Sequence, residues 1–209
     1  MNRQELGRRL ARLTTNAVMR SPRLWRVFRP LTRWQFHSLA SQWDTILQPD
    51  HLAPYERALD ALPSAPRRAL DLGTGTGAGA LAIARRFPDA EVTGADLTEG
   101  MVAEARRKLS PDLERRVHFE VADASALPYE DGSFELVAHA NMIPFFDELA
   151  RVLADGGHAL FAFSGGAETP IYVPPERLRI ELQRRGFSDF ADFSAGRGTA
   201  FLARKAVDS

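Results

Sequence analysis

The chain has 209 residues, 27 basic and 27 acidic side chains for a formal net charge of zero, and no cysteine. That length suits one ordinary α/β domain with at most a small addition. The missing thiols exclude disulfides, a cysteine nucleophile and thiolate metal sites; with no apolar run of about 18 residues, no membrane span is expected and the protein reads as cytoplasmic.

The charges are unevenly placed. Residues 1–36 hold nine Arg and one acid, Glu5, for 9 − 1 = +8, which leaves 18 basic and 26 acidic side chains, or −8, on the rest. Leu6, Leu10, Leu13 and Ala17 recur at helical spacing, which predicts an amphipathic first helix with that stripe turned inward. Ser21-Pro22 should end it, and Pro30 should interrupt whatever helix follows. Trp25, Phe28 and Trp34 are expected to pack on the acidic body, so that a helical arm or lid over residues 1–50 closes on a domain over 51–209. Contact of the basic arm with a membrane surface stays open as an alternative; nucleic acid is not an expected partner.

Residues 69–79, Ala-Leu-Asp-Leu-Gly-Thr-Gly-Thr-Gly-Ala-Gly, read as a buried strand, a tight turn and the start of a helix. Gly73, Gly75 and Gly77 would permit positive φ and let a ligand approach the backbone with no Cβ in the way. Gly73, Gly75 and Ala78 also satisfy the dinucleotide pattern G-x-G-x-x-G/A, and Asp96 follows at about the 20-residue spacing that pattern expects. Asp71 tips the balance, because a carboxylate beside the turn suits a cationic ligand better than a pyrophosphate. No lysine follows Tyr55, Tyr129 or Tyr172 by four residues, so the Y-x-x-x-K pair of a short-chain NAD-dependent reductase, the competing reading, is absent.

Further strands are predicted at Ala90–Asp96, Val117–Asp123, Phe134 to Ala140 and His158–Phe163, with helices at Gly100–Leu109, capped by Thr98, and Asp147–Leu153, and a turn at Asp155-Gly156-Gly157. Pro175 can open a later helix, and Phe190–Phe193 with Thr199–Ala203 suggest a closing hairpin. The expected fold is α/β: a doubly wound, Rossmann-like, mostly parallel seven-stranded sheet with a C-terminal antiparallel hairpin and an N-terminal helical extension. Asp71, Asp96 and Asp123 would then end three strands along the edge where such sheets bind ligands. The five histidines show no ligand spacing, so no metal is expected.

Asp71-x-Gly73-x-Gly75-x-Gly77 resembles the first motif of the class I S-adenosylmethionine (SAM)-dependent methyltransferases. The resemblance extends over residues 67–163, through Asp-Leu-Thr-Glu-Gly-Met at 96–101, Leu-Pro-Tyr-x-x-Gly-Ser-Phe-Glu-Leu-Val at 127–137 and Ala-Arg-Val-Leu-x-x-Gly-Gly at 150–157. It implies SAM as cofactor, with S-adenosylhomocysteine as product. Asp71 would lie near the methionine ammonium, Gly73, Thr74, Gly75 and Gly77 around the nucleoside, and Asp96 on the ribose hydroxyls. Leu97 and Met101 would flank the adenine, Asp123 and Ala124 would read its amine, and Asn141 would reach the methionine end. Residues 36–44 resemble the lid segment of quinone-biosynthesis C-methyltransferases, with Trp43 either stacking in that lid or anchoring the core. Trp43, Met142 and Tyr172 are the candidate contacts for a small, partly apolar acceptor. The catalytic base is left unassigned, His139 being more simply read as a packed residue, and a non-catalytic SAM-binding regulator is the remaining alternative.

Overall fold

The computed structural model describes residues 3–207, with side chains from Glu5 onward except that of Leu6. Its strands are β1 (Arg68–Leu72), β2 (Glu91–Asp96), β3 (Val117–Val121), β4 (Phe134–Ala140), β5 (Leu153–Phe163), β6 (Phe187–Ala195) and β7 (Gly198–Lys205). They form one sheet in the order β3-β2-β1-β4-β5-β7-β6. The first five run parallel, and β7 is antiparallel to both of its neighbours. The chain steps outward from β1 to β3 and then restarts on the other side of β1 with β4. That reversal opens a crevice at the carboxyl ends of β1 and β4, where the glycine turn and Asn141 emerge.

Helices cover both faces, as a parallel sheet requires. One face holds α4 (Ala53–Asp60), α5 (Ala78–Arg86) and α6 (Glu99–Lys108) over Ala69, Val92, Leu136 and Leu160. The other packs α7 (Phe146–Val152) and α8 (Pro175–Gln183) over Leu70, Leu72, Val137 and Phe161. Thr98 caps α6 as expected, its hydroxyl accepting from the Met101 N–H at 3.3 Å. The expected turn at Asp155-Gly156-Gly157 lies instead inside β5, which pairs with β4 through a register shift between Phe134 and Leu136. Gly156, at φ +75°, absorbs that irregularity.

The arm consists of α1 (Arg3–Arg20), α2 (Trp25–Leu39) and the single-turn α3 (Trp43–Ile46). α1 stops at Ser21-Pro22, but Pro30 does not interrupt α2. The carbonyl that Pro30 cannot bond belongs to Arg26, an exposed position where water can substitute. The Leu stripe is also corrected: α1 buries Thr15 and Val18, while Leu10 and Leu13 face solvent. Leu6, the first of that stripe, has its side chain outside the described residues. From the exposed Arg12 the guanidinium donates to the Ala167 carbonyl at 3.0 Å. In α2 Trp25 is buried, Phe28 is half-buried and Trp34 is exposed. No helix of the described residues is long and apolar enough to cross a membrane.

Candidate functional site

The turn after β1 is held by a buried hydrogen-bond cluster beneath it. In a strand the side chains alternate, so Ala69 and Asp71 share the face of α4 and α5 while Leu70 and Leu72 take the other. The Asp71 carboxylate is therefore aimed into the layer below the turn and is 2% exposed. It accepts from the Tyr55 hydroxyl at 2.8 Å and the Thr74 hydroxyl at 2.7 Å. A Cβ on Gly79 would come within 2.6 Å of both its oxygens, so the start of α5 rests directly on it. Burial raises its pKa to about 6, against the lowering effect of hydrogen bonds from Thr74, Tyr55 and the Ala80 backbone. Burial, with the facing Asp71 charge, also pushes the Tyr55 phenol up. Asp71, expected beside a ligand ammonium, lies beneath the turn and braces it through Tyr55 and Thr74. Tyr55, its partner from α4, was not singled out from the sequence.

Above the brace, Gly73, Gly75 and Gly77 take φ of +63°, +54° and +89°. Asp96, at the end of β2, accepts from the Gly75 N–H at 3.0 Å and the Thr98 N–H at 2.9 Å, which ties the turn to the next strand. Burial raises the Asp96 pKa, opposed by those backbone donors. Leu97 is half-buried beside it, and Met101 is fully buried in α6. A Cβ on Gly73 would meet the Met142 sulfur at 2.8 Å, and one on Gly75 the Trp43 Nε1 at 3.3 Å. Gly73 and Gly75 are thus covered by the ends of two side chains, Met142 and Trp43, whereas a Cβ on Gly77 would meet the Phe119 ring at 2.8 Å and Ala105 at 3.1 Å, so Gly77 serves close packing.

Asp123 lies two residues beyond the end of β3, next to the half-buried Ala124. Its oxygens accept from the Ser125 N–H at 3.0 Å, the Trp25 indole N–H at 2.9 Å and the Arg29 guanidinium at 3.0 Å. Burial alone would raise its pKa, but these donors outweigh it and hold the pKa below the ordinary value. The arm is fastened at two further points. The Thr76 hydroxyl donates to Asp44 at 2.6 Å, and Lys108 pairs with the same carboxylate. Trp25 was expected to pack on the body, but Arg29 and Asp44 were not distinguished in sequence from other arm residues; that Asp44 is the first acid after Glu5 was its signal.

Asn141 adopts φ +52°, and its side-chain carbonyl accepts from the Ser164 N–H at 2.9 Å, locking the end of β4 to that of β5. Farther along the same edge a cavity of about 170 Å³ is lined by Phe163, Tyr172, Val173, Leu178, Phe193 and Phe201. Tyr172 is therefore placed beside β5 and the hairpin, its ring edge-on to Phe163 at 5.1 Å. His139 is fully buried on the α7 face with neither ring nitrogen hydrogen-bonded, 4.7 Å from the Phe161 ring. Burial lowers its pKa to about 3, so it packs as a neutral ring.

These features fit a cofactor that combines cationic and hydroxyl groups. Only the ends of the Met142 and Trp43 side chains lie over Gly73 and Gly75, whereas the Cβ position at Gly77 is filled by Phe119 and Ala105, and residues 69–79 contain no Lys or Arg for a phosphate. Asp96 is close enough to Asp71 to raise its pKa further, so the local field favours a cation.

A family model described as a methyltransferase domain matches residues 69–157. A malonyl-[acyl-carrier protein] O-methyltransferase of Geobacter sulfurreducens is 39% identical over 168 residues, covering 74% of this chain and 60% of that protein. A demethylmenaquinone methyltransferase of Thermus thermophilus is 50% identical over 110 residues, or 48% of this chain and 49% of that one. The chain thus spans between about half and three-fifths of the length of these curated relatives. Among solved structures, a SAM-dependent methyltransferase from Aquifex aeolicus superposes with a TM-score of 0.65 at 18% identity, covering 79% of this chain and 97% of that one.

Proposed function

We propose that this chain, which belongs to the class I SAM-dependent methyltransferase family, transfers a methyl group from SAM to a small acceptor with an apolar part, acting in the cytoplasm. The observation that carries the reading is the turn itself: three positive-φ glycines at alternate positions, in a stretch free of cationic side chains, with the Asp96 carboxylate alongside. SAM, when bound, supplies an electrophilic methyl on a sulfonium centre. Gly73, Thr74, Gly75 and Gly77 would hold the nucleoside by backbone, and Asp96 would exchange its Gly75 and Thr98 partners for ribose hydroxyls. Leu97 and Met101 would line the adenine, and Asp123 with Ala124 would take its amine. Asn141 would bound the methionine end. The residues 1–50 act in this reading as an arm that excludes water, with Trp43 and Met142 moving off the turn.

The apolar cavity at Tyr172 supports an acceptor with an aliphatic or aromatic portion, since it offers ring edges and few polar groups. The relatives' printed acceptors, a carrier-bound malonyl group and demethylmenaquinone, differ widely, which supports a small molecule without choosing one. Incubating the protein with methyl-labelled SAM and a fractionated metabolite extract tests this directly. Label should enter a low-molecular-weight product and shift with substitutions at Phe193 or Val173. Label confined to protein or RNA would overturn the acceptor class.

A further inference from the structure

α2 carries two apolar stripes. Trp25, Phe28 and Phe36 turn toward the domain, as an ordinary amphipathic helix would require. Val27, Leu31 and Trp34, spaced by four and three residues, form a second stripe that is 71%, 52% and 69% exposed. Leu24 just before the helix continues that spacing, also exposed. A single exposed apolar residue is ordinary; a helical row of them ending in a tryptophan is an interaction surface.

The residues beside the row are all of one sign. Arg23, Arg26 and Arg33 are exposed and form no ion pair among the described residues. From Arg3 to Trp43 the one acidic residue is Glu5, on α1. Arg29, the remaining arginine of α2, is turned to Asp123 on the domain. From these observations we infer that the outer face of α2 docks on an anionic lipid bilayer, with Val27, Leu31 and Trp34 in the interface and Arg23, Arg26 and Arg33 at the headgroups.

Charge selects this occupant over the others. A second copy meeting the same face by a two-fold axis would set arginine row against arginine row with no acid between them. A nucleic acid would satisfy the arginines but leave Val27 and Leu31 without apolar partners. An anionic bilayer satisfies both, as it does for basic amphipathic helices in general. The −8 on residues 37–209 fixes the orientation, because the body is repelled from the surface that the arm binds.

Co-sedimentation of the full chain with vesicles of phosphatidylcholine, with and without phosphatidylglycerol, tests the inference. The parent should pellet with the phosphatidylglycerol vesicles only and be released by salt. The triple variant Val27→Ser/Leu31→Ser/Trp34→Ser and the charge reversal Arg23→Glu/Arg26→Glu/Arg33→Glu should each weaken that binding at least about tenfold, with thermal unfolding unchanged because every altered side chain faces solvent. Failure of the parent to bind, or equal binding by the apolar triple variant, overturns the inference. A dimer that the apolar variant dissolves would assign the face to a second copy, and salt-sensitive binding of an RNA oligonucleotide indifferent to that variant would assign it to nucleic acid; either overturns it.

Discussion

The glycine turn and the arm meet over the same crevice but are held by different physics. The turn rests on a carboxylate sealed from water that accepts from the buried hydroxyls of Tyr55 and Thr74. The arm buries a few side chains, Val18 and Trp25 among them, but its polar contacts lie near the surface: Arg29, half-exposed, on Asp123, and Lys108 with Thr76 on the exposed Asp44. A buried polar cluster is costly to disturb because water cannot replace a lost partner, whereas exposed ion pairs exchange readily with solvent and weaken with salt. In the proposed function the turn is accordingly a preformed cradle and the arm a displaceable cover.

The largest expected effect is at the brace. Asp71→Ala strands two buried hydroxyls and the start of α5, and should cost about 2–5 kcal/mol in urea unfolding. Trp25→Ala should cost less, about 2–3 kcal/mol, because the indole is buried at the arm's edge with one hydrogen bond to lose. Arg29→Ala should cost under about 1 kcal/mol and leave no difference at high salt. An arm substitution that exceeded the brace in cost would reverse the proposed order.

The two buried titratable groups give a sharper contrast. Asp71 has its folded pKa raised from 3.8 to about 6, so its stabilising contribution is complete below pH 3.8 and is lost as pH rises through about 6. His139 has its folded pKa lowered from 6.5 to about 3, so its contribution is present above pH 6.5 and is lost as pH falls toward about 3. Between about pH 4 and 6 the two slopes oppose each other, each near 1.4 kcal/mol per pH unit. Relative to the parent, Asp71→Asn should therefore make stability rise more steeply with pH in that window, and His139→Leu should make it fall. Denaturant titrations at several pH values check both, and slopes unchanged in either variant would mean that the group is solvated.

Much of this was legible in the sequence because local signals agreed with the fold. The run from Ala69 to Leu72 ending in glycines, the Thr98 cap and the paired apolar runs before and after Gly196 each specify one conformation. The side chain of Asp71 was not legible as a brace. A parallel strand is covered on both faces, so period-two alternation places Asp71 opposite Leu70 without saying which helix it meets, and Tyr55 lies 16 residues away. The Leu stripe of α1 failed for a related reason: spacing defines a helical face, but the surface it meets is made by residues about 155 positions later, where Arg12 reaches the Ala167 carbonyl. Pro30 was misplaced because the penalty it carries depends on whether water reaches the orphaned carbonyl, which is a property of the folded surface.

The central claim is that the turn beside Asp96 binds SAM, and calorimetric titration of the purified protein tests it most directly. SAM and S-adenosylhomocysteine should both bind, NAD(H) should not, and Asp96→Ala, folded but less stable than the parent because the Gly75 and Thr98 N–H groups lose their acceptor, should weaken both by tenfold or more, about 1.4 kcal/mol or greater. Binding of NAD(H) in place of SAM, or SAM affinity unchanged in a folded Asp96→Ala, would contradict it.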